Sequence, residues 1–412
     1  MKYGLVGQDV TSSFSKELHK LFRNNNYKLL SLNEEELVEL LKSRQFVGIN
    51  VTKPYKEFVI PYLDRLDSVA SATQSVNTII NKRGLLIGYN TDYAGLKYLL
   101  KRNKITIENK TVAVLGTGGV AKTAIYLLKE LKAKKIILVS RTKKENTITY
   151  EEVNDKVINV IINCSPYGMT PNNNDAPIIN LDTIYDLECV VDLIYNPLNT
   201  LLLVKAKEKG IKAVPGLRML IKQGADAAEL FMDGGHPCVE DSHYLMMKRK
   251  LNVVLIGMPY AGKTMFGQLV SKKLKKEFID VDVEIEKRTK MKIGKIFKEY
   301  GEEYFRKIEH EVIKELSARQ NVVIATGGGA ILDKSNIDYL KENGVVIWIK
   351  RDADLIEFKR NRPLCSCKTK YKELLAKREM YYAQYSNYVV TSGNINRTLE
   401  DILEGYYEAI DC

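Results

Sequence analysis

The sequence contains no long hydrophobic segment. No run of about 18 consecutive apolar residues, the length a helix needs to span a membrane, occurs in its 412 residues. The N-terminal stretch MKYGLVGQDV has too few apolar residues for a signal peptide and lacks a cleavage pattern. These absences predict a cytoplasmic protein without a membrane partner.

Cysteine and histidine are also scarce. Six cysteines are scattered along the chain, which is not the spacing of a disulfide framework. Cys365 and Cys367 are close together, but a zinc site needs about four ligands and no second ligand pair follows. None of the four histidines lies in a recognisable motif. Acid–base chemistry must therefore rest on lysine, aspartate or arginine.

Acidic residues are outnumbered by basic ones. The 63 Lys and Arg against 51 Asp and Glu give a net charge of +12, which favours anionic partners. The basic residues are spread along the chain rather than massed in one tail, which argues against nucleic acid. We therefore expect small phosphates and carboxylates as ligands. A nucleic-acid-binding ATPase is an alternative suggested by the charge alone.

The chain shows no repeats, and strand and helix patterns alternate throughout, as in α/β proteins with mainly parallel sheets. Glycine-rich turns follow apolar strands at residues 115–119 and 256–264, so each turn begins its own nucleotide-binding unit. The sequence predicts three domains, residues 1–103, 104–248 and 251–412. It also predicts strands and helices at residues 2–6, 92–102, 111–115, 136–139, 242–249 and 252–256.

The first turn contains Gly116, Gly118 and Gly119 ahead of an amphipathic helix. Glycines let the backbone approach a pyrophosphate at a helix N-terminus. The spacing G-x-G-G also occurs in ordinary strand–helix turns. The glycines alone therefore leave the two interpretations open.

The residues after the next strand favour a dinucleotide-binding turn over an ordinary strand–helix turn. They read Ser140, Arg141, Thr142, Lys143, Lys144, without the carboxylate that holds the ribose 2′-hydroxyl of NAD. Arg141, with Lys143 or Lys144, would attract a 2′-phosphate. We therefore predict NADP(H), although either lysine could equally be a solvated loop charge.

The second turn is a complete G-x-x-x-x-G-K-T between a strand and a helix. Its defining residues are Gly257, Gly262, Lys263 and Thr264. Backbone N–H groups of such a loop cradle the phosphates of ATP, the lysine neutralises them, and the threonine hydroxyl binds Mg²⁺. The sequence therefore predicts an ATP and Mg²⁺ site.

Polar residues cluster at strand ends in the first hundred residues, where α/β proteins place their sites. Each has an ordinary alternative: Ser13 or Ser15 could cap a helix, Asp92 could cap the helix it starts, and Lys56 could lie on the surface. Taken together and in order, the clusters resemble the shikimate dehydrogenase family over about residues 1–248. The matching segments are 50–56 (NVTKPYK), 75–78 (SVNT), 90–92 (NTD), 163–169 (NCSPYGM), 192–197 (DLIYNP) and 216–220 (GLRML).

The resemblance implies an N-terminal α/β substrate domain and a Rossmann-like NADP domain whose last helix returns to the first. It implies that Lys56 and Asp92 form the catalytic pair. Lys56 would protonate the ketone oxygen of 3-dehydroshikimate while NADPH delivers hydride, and Asp92 would orient Lys56. The implied substrate-binding residues are Ser13, Ser15, Thr52, Asn77, Tyr195 and Gln223. Residues 141–163 are short for the family, which predicts that one helix of the NADP domain is missing.

Residues 251–412 resemble the shikimate kinase family, a P-loop fold with a parallel sheet. The matching segments are 278–282 (FIDVD), 301–309 (GEEYFRKIE), 327–329 (GGG), 362–364 (RPL) and Arg378. The resemblance implies that Arg306 and Arg378 grip the carboxylate of shikimate, as planar guanidinium groups do, and that Gly328 lets the backbone approach it. Asp282 would orient the attacking hydroxyl, Asp280 would help hold Mg²⁺, and Arg362 would reach over the phosphates from a lid.

The two assignments support each other, because the product of the first reaction is the substrate of the second. Two alternatives stay open, one enzymatic and one of a different class. The first half could act on quinate or use NAD, or one half could be an inactive regulatory or scaffold module. The sequence does not decide whether the chain forms a homo-oligomer.

Overall fold

The structure, a computed structural model, describes residues 2–171, 173, 179–232, 237–358 and 367–411. The chain divides into two compact units, Met1–Met246 and Met247–Cys412. Within the described ranges, no helix is long and apolar enough to cross a membrane.

The first lobe of the first unit contains a mixed six-stranded sheet. Its strands are β1 (Tyr3–Gly7), β2 (Tyr27–Ser31), β3 (Gly48–Val51), β4 (Arg65–Leu66), β5 (Thr78–Lys82) and β6 (Leu85–Tyr89). Its helices are α1 (Ser15–Leu21), α2 (Glu34–Ser43), α3 (Ser68–Thr73) and α4 (Asp92–Arg102). The strand order is β2-β1-β3-β5-β6-β4, and β5 and β6 form an antiparallel hairpin. This hairpin brings the polar residues before β5 and after β6 side by side.

The second lobe contains five parallel strands. They are β7 (Thr111–Leu115), β8 (Lys135–Val139), β9 (Val160–Asn163), β10 (Cys189–Asp192) and β11 (Lys212–Pro215), with helices α5 (Gly119–Glu130) and α6 (Leu201–Glu208). The order is β11-β10-β9-β7-β8, so the chain leaves β7 for β8 on one side and then crosses to β9 on the other. Sheets of this kind bind nucleotides at such a switch point, beyond the carboxyl ends of the strands. Between β8 and β9 the chain forms only a 3₁₀ turn at Glu151–Val153, which confirms the predicted missing helix.

Helix α7 (Leu217–Met232) follows β11, and α8 (Val239–Lys250) follows α7. The α7 helix packs against α4 and α1 and returns to the sheet of the first lobe. There the ring of Phe231 stacks on that of Tyr3, with 5.5 Å between the centroids. Because Asp92 begins α4 and Gln223 lies in α7, this packing brings residues that are far apart in sequence to one cleft.

Within its described residues, the second unit has one parallel sheet of five strands. They are β12 (Asn252–Ile256), β13 (Glu277–Asp280), β14 (Val322–Ala325), β15 (Gly344–Arg351) and β16 (Tyr388–Ser392). The helices are α9 (Lys263–Leu274), α10 (Val281–Thr289), α11 (Ile293–Ser317), α12 (Lys334–Asn343), α13 (Lys368–Tyr385) and α14 (Ile395–Asp411). The order is β13-β14-β12-β15-β16, with β12 in the centre. All five residues of β12 are buried, as expected for a strand covered on both faces.

Candidate active sites

Lys56 and Asp92 form an ion pair in the cleft of the first unit. The Nζ atom of Lys56 lies 2.5 Å from Oδ2 of Asp92, and the two side chains are only 13% and 8% exposed. Asp92 is the first residue of α4, but the capping position belongs to Thr91 and no side chain caps the helix. The ordinary alternatives, a capping aspartate and a surface lysine, are therefore wrong. A pair removed from water in this way costs desolvation free energy, which a functional role would explain.

Asn77 holds the other oxygen of Asp92. Its Nδ2 donates to Oδ1 of Asp92 at 3.0 Å and to Oε1 of Gln223 at 3.3 Å. Its Oδ1 accepts from the backbone N–H of Thr91 at 2.8 Å. The side chain is thus fixed from both ends, and it fixes the carboxylate that faces Lys56.

Ser13, Ser15 and Tyr195 come together in the first unit. The hydroxyl of Ser13 donates to that of Ser15 at 3.1 Å, and the ring of Phe14 lies 5.1 Å from that of Tyr195. Burial raises the pKa of Tyr195, and a hydrogen bond with Ser13 opposes that rise. The capping position of α1 is Phe14, with no side-chain cap, but the hydroxyl of Ser13 accepts from the N–H of Ser15, the first residue of that helix, at 3.2 Å. Ser13 therefore stabilises the start of α1. Thr52, half-buried, follows β3.

The glycine turn lies directly against Lys56. Gly118 is the capping residue of α5, and Gly116 follows β7. A Cβ on Gly119 would lie 2.7 Å from Oγ of Ser75 and 3.4 Å from Cβ of Lys56. Only glycine therefore allows this approach, which places the N-terminus of α5 beside the ion pair.

The basic loop after β8 differs in detail from the sequence prediction. Arg141 is exposed, and its guanidinium lies 5.8 Å from the ring of Tyr167. Lys143 is paired with Glu152 at 2.6 Å, whereas Lys144 is exposed. Ser140 is 6% exposed and its hydroxyl donates to the carbonyl of Thr142, so it stabilises the loop. Of the basic side chains in this loop, Lys143 is therefore the one held by an acidic neighbour.

Asp192 organises the second lobe, although its sequence pattern gave it no role. Its Oδ1 accepts from Nδ2 of Asn163 at 3.0 Å and from the N–H of Ile194 at 3.1 Å, and its Oδ2 accepts from the hydroxyl of Thr200 at 2.6 Å. These bonds join the ends of β9 and β10 to the start of α6 and fix the loop that carries Tyr195. Burial nevertheless raises the pKa of Asp192 to about 6.

This raised pKa predicts a pH-dependent stability. Because the folded chain holds the proton of Asp192 more tightly than the unfolded chain, where the pKa is 3.8, the contribution of Asp192 falls as the pH rises from about 4 to 6, by about 3 kcal/mol. The free energies of unfolding of the wild type and of Asp192→Asn are measured in urea at pH 4 and pH 7. Relative to the variant, the wild type should lose about 3 kcal/mol between the two pH values. A difference that is constant across this range would contradict the burial argument.

The phosphate loop joins β12 to α9. Gly257 and Gly262 have φ angles of 146° and 92°, which are left-handed conformations that favour glycine. The Nζ of Lys263 donates to the carbonyls of Gly257 and Met258 at 2.8 and 3.0 Å. The ammonium group therefore lies against the loop that the sequence predicted to hold phosphates.

Thr264 and Asp280 come together as a pair. The hydroxyl of Thr264 donates to Oδ2 of Asp280 at 2.7 Å. The other oxygen of Asp280 accepts from the N–H of Asp282 at 3.0 Å and so begins α10. A hydroxyl and a carboxylate are ligands that Mg²⁺ prefers. In the described part of the chain, no cluster of three or more His, Cys, Asp or Glu side chains could hold a metal by itself.

The glycines 327–329 line the side of the loop next to β14. Arg378, only 6% exposed, donates to the carbonyl of Gly328 at 2.9 Å, and the hydroxyl of Tyr382 donates to the same oxygen at 2.6 Å. A Cβ on Gly327 would lie 2.9 Å from Oδ1 of Asp282. Asp282 and Arg378 therefore lie against neighbouring glycines of this segment.

Arg306 is fixed by its own helix. It donates to Glu309 at 2.6 Å and to the more exposed Glu302 at 2.8 Å. Burial raises the pKa of Glu309, and Arg306 opposes that rise. Sequence reasoning gave no role to Glu309 or Tyr382. The burial of Glu309 and the contact of Tyr382 with Gly328, 54 residues away, leave no trace in the local pattern. Arg362 lies outside the described residues.

Known proteins resemble both units. The family described as "Shikimate dehydrogenase substrate binding domain" matches residues 5–79, and "Shikimate kinase" matches residues 259–410. A shikimate dehydrogenase (NADP(+)) of Clostridium perfringens is 40% identical over 250 residues, which cover 56% of this chain and 91% of that protein. One of Methanosphaera stadtmanae is 33% identical over 277 residues, with 60% and 95% covered.

Solved structures agree. A chorismate mutase/shikimate 5-dehydrogenase fusion protein from Clostridium acetobutylicum is 34% identical with a TM-score of 0.55, covering 59% of this chain and 96% of that one. The shikimate 5-dehydrogenase of Thermus thermophilus in complex with NADP(H) and shikimate is 27% identical, with a TM-score of 0.53 and 59% and 97% covered. The chain therefore belongs to the shikimate dehydrogenase family, and its second unit is a shikimate kinase domain.

Proposed function

We propose that this chain reduces 3-dehydroshikimate to shikimate with NADPH and then phosphorylates shikimate to shikimate 3-phosphate with ATP. The observation that carries the proposal is the buried Lys56–Asp92 pair against the glycine turn, in a chain that also has a complete phosphate loop. We assign residues 1–103 to substrate binding, 104–248 to NADP binding and 251–412 to the kinase.

In the reduction, Lys56 is the proton donor to the ketone oxygen. Its ammonium group is held by Asp92, which in turn is held by Asn77. Such a fixed donor protonates the oxygen as negative charge develops there, without first reorganising. In the reverse direction the Lys56 amine takes the proton back from the hydroxyl.

The remaining polar groups of the cleft orient the substrate. Ser13 and Ser15, whose hydroxyls lie 3.1 Å apart, bind the carboxylate with Tyr195. Thr52, Asn77 and Gln223 bind ring hydroxyls. Both ends of the ring are thereby held, and the ketone carbon faces the turn before α5.

The residues present fit NADP(H), which supplies the hydride when bound. A Cβ on Gly118 would meet no atom within 4 Å, so the start of α5 is open for a pyrophosphate, and Gly116 and Gly119 complete the turn. Arg141 and Lys144 bind the 2′-phosphate at the end of β8, with Ser140 and Thr142 shaping the loop.

Replacing Arg141 with Ser should raise the KM for NADPH about tenfold, because a charge-assisted hydrogen bond to the 2′-phosphate is lost. The KM for NADH should stay unchanged, since NADH has no such phosphate. Lys143→Ser is the matched control, because Lys143 is occupied by Glu152. An equal rise for both cofactors would show that Arg141 does not read the phosphate.

In the kinase domain, Asp282 orients the attacking hydroxyl of shikimate. Arg306 and Arg378 bind its carboxylate on one side, and the backbone around Gly328 lets the ring come close. The contact of Arg306 with the half-exposed Glu302 is the one that a substrate carboxylate can replace. Lys263 and, from the lid, Arg362 neutralise charge on the transferred phosphoryl group.

The residues present also fit ATP with Mg²⁺, which together supply the activated phosphoryl group. Gly257, Gly262 and Lys263 form the cradle. The hydroxyl of Thr264 and the carboxylate of Asp280, 2.7 Å apart, hold the metal.

The proposal is tested by measuring each half with chosen substrates. NADPH oxidation should require 3-dehydroshikimate and be faster than with dehydroquinate. ADP release should require shikimate and be absent with quinate as acceptor. Faster reaction with the quinate pair or with NADH would favour the alternative dehydrogenase specificity, and an inactive half would favour a regulatory module.

A further inference from the structure

The phosphate loop contains a non-glycine residue in a left-handed conformation. Tyr260, the fourth residue of the loop, has a φ of 69°. The two other left-handed positions in the loop are glycines, at Gly257 and Gly262. A side chain in this conformation crowds the backbone, and such residues persist only where their surroundings hold them. The contacts of Tyr260 should therefore matter to the loop.

A closed circuit of contacts surrounds Tyr260. Its ring meets that of Phe358 edge to face, with 5.7 Å between centroids, and Phe358 meets Tyr371 in the same way at 5.9 Å. The buried Tyr371 donates its hydroxyl to the carbonyl of Arg351 at 3.3 Å. Arg351 completes the circuit by donating to the carbonyl of Tyr260 at 3.5 Å. The loop is thus tied to the end of β15 and to α13.

Arg351 makes its hydrogen bonds to backbone carbonyls among the residues that the structure describes. It lies at the carboxyl end of β15, the neighbour of β12, where Ile256 pairs with Trp348. Its hydrogen bonds go to the carbonyls of Tyr260 and Leu355, and within the described ranges no carboxylate pairs with it. Its Nε is buried without a partner there. A charged group placed in this way holds two backbone carbonyls, that of Tyr260 in the loop and that of Leu355 after β15, rather than another side chain.

The orientation of this peptide reaches Lys263. The N–H of Ala261, in the same peptide group as the Tyr260 carbonyl, donates to the carbonyl of Met258 at 3.2 Å. The ammonium group of Lys263 donates to that same carbonyl at 3.0 Å. Because a peptide group is planar, holding the Tyr260 carbonyl fixes the N–H of Ala261. Arg351 and Lys263 are therefore linked through the carbonyl of Tyr260, which Arg351 holds, and the carbonyl of Met258, which Lys263 holds.

We propose that Arg351 and the ring of Tyr260 are positioning residues of the phosphate loop, which hold it in the conformation that binds ATP through Lys263. The inference rests on the proposed ATP-dependent function of this unit. Neither residue needs to touch the acceptor, which binds on the side of β14. Their loss should therefore weaken nucleotide binding without weakening shikimate binding.

The test measures the dissociation constant of a non-hydrolysable ATP analogue with Mg²⁺ by calorimetry on the full chain. Arg351→Ala and Tyr260→Ala should each weaken binding about tenfold, and Tyr260→Phe, which keeps the ring, should match the wild type. Combining the two alanine changes should add little, because both open the same circuit. The KM for ATP should rise in parallel, while the KM for shikimate and the rate of NADPH oxidation stay unchanged.

Tyr260→Gly separates this account from simple backbone strain. Glycine suits the left-handed position, so if the ring had no positioning role the variant would bind nucleotide as tightly as the wild type or more tightly. Such a result, or unchanged binding in Arg351→Ala, overturns the proposal. If Arg351→Ala fails to fold, Arg351→Lys and Phe358→Leu test the same circuit.

The binding measurement separates failure of this inference from failure of the proposed function. A wild-type chain that binds the analogue but never phosphorylates shikimate would refute the function, while the variants would still decide the positioning roles. Normal phosphorylation by wild type and unaltered binding by both alanine variants would refute the positioning roles alone.

Discussion

The Lys56→Ala variant should lose 3-dehydroshikimate reduction, with kcat lowered by about 10²–10⁴-fold, because the positioned proton donor is gone. The ion pair with Asp92 is nearly inaccessible to water, so bulk solvent is poorly placed to replace the donor. Shikimate phosphorylation by the same molecules should continue at the wild-type rate. The measurement is initial-rate NADPH oxidation, alongside ADP release with added shikimate.

Two comparisons make this result specific. Lys28→Ala removes an exposed lysine from β2 of the same lobe and should leave both activities unchanged. The KM for NADPH of Lys56→Ala should stay close to that of the wild type, since the turn of α5 is still present. Residual reduction within about tenfold of the wild type would mean that another group supplies the proton.

Lys263→Ala should produce the opposite loss. Shikimate phosphorylation should fall by about 10³-fold or more, because the charge that stabilises the transferred phosphoryl group is missing. NADPH oxidation with 3-dehydroshikimate should not change. ADP release coupled to shikimate 3-phosphate formation is the measurement.

Lys272→Ala is the matched control for this variant, since Lys272 is exposed on the same helix, α9. It should retain both activities. Phosphorylation that survives in Lys263→Ala would contradict the role of the loop. Loss of NADPH oxidation in that variant would mean that the two reactions are not separable in this way.

The sequence predicted the elements that local pattern controls. The bounds of α4, β7 and β12 match the predictions exactly at Asp92–Arg102, Thr111–Leu115 and Asn252–Ile256. Each has a continuous or periodic apolar pattern next to a glycine turn or a polar cap. Strand β8 begins one residue earlier than predicted, at Lys135, whose backbone pairs with that of Thr111 in β7. Its first residue is exposed and so carried no hydrophobic signal.

The sites could be predicted where a motif places chemistry at a strand end, but their contacts could not. Lys56 and Asp92 are 36 residues apart, and the pairing of β3 with β5 and of β5 with β6 brings them together. The pairing of Lys143 with Glu152 depends on the loop that replaces a helix. The buried environment of Asp192 and the hold of Arg351 on Tyr260 depend on packing between distant segments, which leaves no local pattern.

The most direct test of the account is a two-stage assay on the purified chain. It is supplied with 3-dehydroshikimate, NADPH, ATP and Mg²⁺, and NADPH loss and shikimate 3-phosphate are followed together. We expect shikimate 3-phosphate to form after NADPH oxidation begins, to vanish in Lys56→Ala, and to be replaced by accumulating shikimate in Lys263→Ala. NADPH oxidation by the wild-type chain without any shikimate 3-phosphate, or phosphorylation of added shikimate without any reduction, would contradict the claim that one chain performs both reactions.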